Sequence, residues 1–144
     1  MNRWWMGLAL LAAGVAAAAP GRVDLQVGER WTVQFGSAPA IPFTLGQVSR
    51  DPGRSTAVTR IAEPGRPELL ISAAVTESRS GMTTLAVGVL ELVQDGQRRP
   101  PRQYCIVNDF SRSTQTRFQG EWVSFTGGMA VPKPQGRCVI EVRR

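Results

Sequence analysis

Over residues 23–35 the odd positions are Val23, Leu25, Val27, Glu29, Trp31, Val33 and Phe35, and the even ones are Asp24, Gln26, Gly28, Arg30, Thr32 and Gln34. Apolar and polar side chains alternate with period two, Glu29 being the exception, which is the pattern of a strand with one buried face. A helix would turn Val23 and Leu25 to divergent faces. The segment therefore predicts a first strand, bent at Gly28. Comparable stretches follow at 43–50, 56–62, 68–77, 84–94, 102–109, 117–126 and 137–143. Within 84–94 the apolar parity runs Leu85, Val87, Val89 and then moves to Leu90 and Leu92. An inserted bulge, or a strand covered on both faces, accounts for that shift.

Turn chemistry separates these stretches. Asp51-Pro52-Gly53-Arg54 and Glu63-Pro64-Gly65-Arg66 each place a proline, which presets one dihedral, before a glycine, which accepts a positive one. Ser80-Gly81 and Asp95-Gly96 mark two further reversals. No stretch sustains a helical period. The expectation is a single all-β domain, an antiparallel meander of about eight strands closed as a small β-barrel or stacked as a β-sandwich.

The start of the chain reads differently. Met1, Asn2 and Arg3 form a short charged head, an apolar run continues from Trp4 to Val15, and Ala16 to Ala19 are small. This is the make-up of a cleavable signal peptide, predicted over residues 1–18, with the domain at 19–144. The apolar run is short of the about 20 residues that a spanning helix requires. Export to the periplasm or the medium is the expected fate, with no membrane span in the mature protein.

Cys105 and Cys138 are the two cysteines of the chain. In an exported small protein an even count favours a disulfide over a metal site or a catalytic thiol. In a flat meander their strands would flank the strand that holds Trp122, about 9–10 Å apart. A disulfide needs Cα atoms about 4.4–6.8 Å apart. A bridge accordingly implies that the two segments are direct neighbours or face each other across a core.

Histidine is absent from all 144 residues. That removes the usual general base near neutral pH, the usual metal ligand, and both serine-histidine and cysteine-histidine catalysis. Lys133, the only lysine among the 17 basic residues, sits between Pro132 and Pro134, where nothing would desolvate it. Asp109 and Glu121 are the remaining carboxylate pair for a hydrolase, with turn capping and a solvated strand face as their plainer roles. No phosphate loop, calcium loop or nucleotide fingerprint appears, so neither a cofactor nor a metal is expected.

A non-catalytic binding or interaction module is the leading reading. Trp31, Phe35, Phe118 and Trp122 are candidates to line a pocket, and a closed eight-stranded meander would share its architecture with lipocalin-type barrels, which hold one small apolar ligand. The likeness is architectural alone, because two residues rather than one separate Gly28 from Trp31. The formal charge of +6 adds envelope polyanions to the candidate partners. A GC-rich genome would produce the same arginine excess without any recognition. Arg98, Arg99 and Arg102 around Pro100 and Pro101 form a stiff basic loop, a candidate anion contact. With acidic residues interspersed along the chain, polyanion affinity is expected to be weak, salt-sensitive and spread over several arginines. The loop at 97–102 would also suit a secreted enzyme inhibitor, the alternative reading. Phe110, Arg112, Arg117, Phe118 and Trp122 interleave aromatic and basic side chains as single-strand binders do, but export argues against a nucleic-acid partner.

Overall fold

The computed structural model describes residues 25–92, 101–108, 115–125 and 131–143. The expected signal peptide, Arg98, Arg99, Asp109 and Phe110 lie outside these residues. Nine antiparallel strands form one curled sheet: β1 (Arg30–Phe35), β2 (Ile41–Thr44), β3 (Val48–Asp51), β4 (Arg54–Ile61), β5 (Glu68–Glu77), β6 (Thr83–Leu92), β7 (Arg102–Val107), β8 (Arg117–Phe125) and β9 (Lys133–Arg143). Their spatial order is β2-β1-β9-β8-β7-β6-β5-β4-β3. A single curled sheet replaces the sandwich alternative.

The expected strand at 43–50 is two strands, because its halves pair in opposite directions. β2 pairs with β1 and β3 pairs with β4, so the two edges of the sheet are joined by only Leu45, Gly46 and Gln47. Thr59 of β4 seals this seam: its hydroxyl donates to the Thr44 carbonyl at 2.8 Å and accepts from the Gly46 amide at 3.1 Å. A Cβ on Gly46 would stand 3.1 Å from the Val58 carbonyl oxygen, so glycine suits the corner at which the chain changes partners.

β1 begins at Arg30, not at residue 23. Gly28 adopts φ 86°, its amide donates to the Leu45 carbonyl at 2.8 Å, and the chain turns there, leaving Val27 69% exposed. Glu29, the exception to the alternation, accepts a hydrogen bond from Trp31 Nε1 at 3.0 Å. Leu25 is fully buried ahead of this turn, and its carbonyl accepts from Arg50 Nη2 at 2.9 Å.

The concave side holds one continuous core. Trp31, Val33 and Phe35 of β1, Ile71, Ala73 and Val75 of β5, Leu85 and Val87 of β6, and Cys138, Ile140 and Val142 of β9 contribute to it at alternate positions. No bulge interrupts β6: its register with β5 is unbroken from Glu68↔Leu92 to Glu77↔Thr83. Leu90 and Leu92 instead face the convex side, where Leu70 lies opposite Leu90. The shift in register falls between Trp122 and Val123, in the β8–β9 pairing.

Cys105 and Cys138 form the disulfide, with Cα atoms 5.7 Å apart and both residues buried. Their strands do flank β8, contrary to the implication drawn from a flat sheet. A Cα separation of 5.7 Å across an intervening strand requires the sheet to be creased along β8, where Gly120 lies opposite Cys138 and Trp122 opposite Cys105. A Cβ on Gly120 would stand 2.6 Å from the Ile106 carbonyl oxygen, so only glycine lets β7 come this close to β8. With the sheet creased there, the side chains from β7 and β9 meet over β8 on the concave face.

Candidate functional site

The four aromatic residues expected to line a pocket are interior packing groups. Trp31, Phe35 and Phe118 are 1%, 6% and 4% exposed, and Trp122 is half-buried against the same core. Phe35 and Trp122 are brought together, ring centroids 5.8 Å apart, whereas Trp31 meets Phe43 at 6.3 Å.

A hollow does exist at one rim, where β1 gives way to β2, β4 to β5, and β6 ends. Its volume is about 260 Å³. Ile41, Ile61 and Leu69 form its floor, since each is partly buried and packed on the core. Pro39, Pro42 and Pro67 stiffen the chain around it. Its polar residues are Glu63, Arg66 and Glu91. An adjoining hollow of about 410 Å³ shares Glu63, Arg66, Pro67 and Glu91 and adds Glu68 and Leu92.

The charges around these hollows are unequally matched. Arg66 pairs with Glu63 at 3.4 Å, and Arg60 pairs with Glu68 at 3.1 Å. Among the described residues no ion pair forms to Glu91. Glu91 lies opposite Leu69 and continues the inward series of Leu85, Val87 and Val89, so its carboxylate sits at the mouth of the curled sheet beside the apolar floor. An acidic residue in an inward series was the one signal in the sequence for this site; the apparent shift to Leu90 and Leu92 masked it. Ile41, Ile61 and Leu69 carry no such signal, because they read as ordinary core positions.

Of the basic loop, Arg102 is described and is exposed at the start of β7, with Pro101 exposed before it. Glu121 is exposed on β8 with Arg137 opposite, the solvated cross-strand arrangement. Among the described residues no group of three or more His, Cys, Asp or Glu side chains could hold a metal ion. Among them, too, no helix is long and apolar enough to cross a membrane. Compared with family models, curated proteins and solved structures, the chain matches none.

Proposed function

We propose that the mature chain is an exported, non-catalytic binding module whose ligand enters the rim hollow, not the barrel interior. The ligand class is a small group or short segment that joins an apolar portion to a cation. The observation that carries this reading is the Glu91 carboxylate, set in the inward register beside Ile41, Ile61 and Leu69 while the neighbouring charges are already paired. Apolar lining with a few fixed polar groups is the usual make-up of a small-ligand site. The apolar floor supplies area, and the carboxylate supplies orientation and discrimination against anions.

Methyl-resolved NMR of the disulfide-intact protein tests this with three probes of equal chain length: hexylammonium, hexanol and hexanoate. Hexylammonium is expected to shift the Ile41, Ile61 and Leu69 methyls saturably and hexanoate to leave them unmoved. Glu91→Gln is expected to bring hexylammonium down to the level of hexanol. Equal response to hexanoate and hexylammonium, or no response to any probe, defeats the proposal. Native mass spectrometry of protein from its own host then identifies the natural ligand.

A further inference from the structure

The opposite rim carries a charge arrangement that the fold itself does not need. On the outer face of β8, β9 and β1, charged residues occupy facing positions, and two of the three facing pairs are complementary. Arg117 lies opposite Glu141 and forms an ion pair with it, and Glu121 lies opposite Arg137. The third pair is Arg30 of β1 opposite Arg143 of β9, both exposed. Directly opposed residues of antiparallel strands have Cα atoms about 4.5–5.5 Å apart and turn their side chains to the same face. Like charges so placed repel.

Among the described residues no ion pair relieves this repulsion. Neither Arg30 nor Arg143 forms an ion pair among them, and Glu141, two residues before Arg143 on the same face of β9, is engaged by Arg117. Glu29, next in sequence to Arg30, takes part in a hydrogen bond with Trp31 Nε1 on the inner side. The row continues onto β2, where Thr44, exposed, lies opposite Arg30 on its other flank. Three hydrogen-bond donors, two of them cationic, therefore stand side by side on three adjacent strands.

From this register we infer that Arg30 and Arg143, with Thr44 beside them, form a binding site for an oxyanion of the phosphate type. Guanidinium groups present planar forks of donors that match tetrahedral and planar oxyanions, and one anion between two of them converts their repulsion into two attractions. A local breach of charge patterning without internal compensation is the kind of feature that function retains at a cost in stability. This inference goes beyond the diffuse polyanion attraction expected from composition, because it assigns the contact to two positions. It does not depend on the rim hollow, which lies at the other end of the strands.

The probe is inorganic phosphate, titrated against sodium chloride of equal ionic strength, with arginine Nε–H resonances and thermal unfolding as readouts. Phosphate is expected to shift the Arg30 and Arg143 Nε–H signals together and saturably, with Arg60 and Arg66 nearly unmoved. Arg30→Gln and Arg143→Gln are each expected to weaken that binding about tenfold. In low salt without phosphate, either variant is expected to raise Tm by about 1–3 °C, since it removes the repulsion. Phosphate also stabilises folded proteins generally by exclusion from their surface. The decisive quantity is therefore the extra Tm gain of the parent over the Arg143→Gln variant. Equal shifts at all arginines, phosphate affinity unchanged in both variants, or a Tm lowered by removing either charge overturns the inference. Pyrophosphate and a phosphate-bearing polymer, titrated afterwards, separate a free anion from a polymeric source.

Discussion

Replacing Gly120 by alanine tests the crease that brings the two cysteines together. The added Cβ would meet the Ile106 carbonyl oxygen at 2.6 Å, the Ile106 carbonyl carbon at 3.0 Å and Val107 Cγ2 at 3.0 Å. Two of these obstacles are backbone of a strand paired with β8, so no rotamer change clears them. β7 has to move away from β8, and Cys105, which β7 carries, has to move with it while bonded to Cys138. Overpacking in a well-filled interior costs about 1–3 kcal/mol, and a rigid obstacle puts this substitution at the upper end, about 3 kcal/mol. For a domain of this size that corresponds to a fall in Tm of about 10–15 °C.

The informative control is Gly65→Ala. Gly65 has φ 76° but nothing within 4 Å of a Cβ, so its cost is conformational alone, about 1–2 kcal/mol. Urea unfolding followed by circular dichroism, with the disulfide intact, gives both values. The Gly120 variant should be the less stable of the two although its backbone conformation is the ordinary one. If Gly120→Ala unfolds within about 0.5 kcal/mol of the parent, or proves milder than Gly65→Ala, the crease does not depend on the missing side chain.

Replacing both cysteines by alanine, across a sequence separation of 33, should lower stability by about 3–4 kcal/mol on chain-entropy grounds, read from the same urea curves. Thr59→Val keeps the shape of the side chain but leaves the Gly46 amide without its acceptor; a loss of about 1–2 kcal/mol and faster exchange of the Gly46 amide proton are expected. Gly88→Ala meets the Tyr104 ring at 2.6 Å and Ser72 Oγ at 2.9 Å. Both are side chains that can swing away, so it should cost less than Gly120→Ala. A double-mutant cycle with Tyr104→Ala should show the two substitutions to be coupled, not additive.

Period two and turn chemistry made most strands legible, because burial on one face imposes the alternation directly. β5 is the clearest case, since the expected stretch and the strand coincide at Glu68–Glu77. What escaped were features set by pairing between distant segments. No local pattern in 43–50 announces that the chain changes partners at Gly46, and the crease at Gly120 depends on β7 lying beside it. The flat-sheet estimate for the cysteines failed for the same reason: it used a strand spacing that holds only where the sheet is not folded. The aromatic residues were visible as inward positions, but alternation cannot tell a filled core from a lined cavity. The rim hollow was hidden further, since its residues come from three separate stretches of chain.

Glu29 and Glu91 both stand in otherwise apolar inward series, and the structure treats them differently. Glu29 receives the indole N–H of Trp31 at 3.0 Å, so its polarity answers a need of the core. Glu91 has no ion-pair partner among the described residues and lies at the edge of the hollow floored by Leu69 and Ile61. If the first carboxylate serves the fold and the second serves a ligand, leucine at each position should move stability in opposite directions. Glu29→Leu strands a buried indole donor and should destabilise by about 1–3 kcal/mol. Glu91→Leu extends the apolar series of β6 over Leu69 and should stabilise by about 0.5–1 kcal/mol, while abolishing the preference for hexylammonium over hexanol. Unfolding curves for the two variants, measured beside the methyl titration, separate the roles. A Glu91→Leu protein less stable than its parent would make that carboxylate a structural group and remove the reason for placing a cation in the hollow.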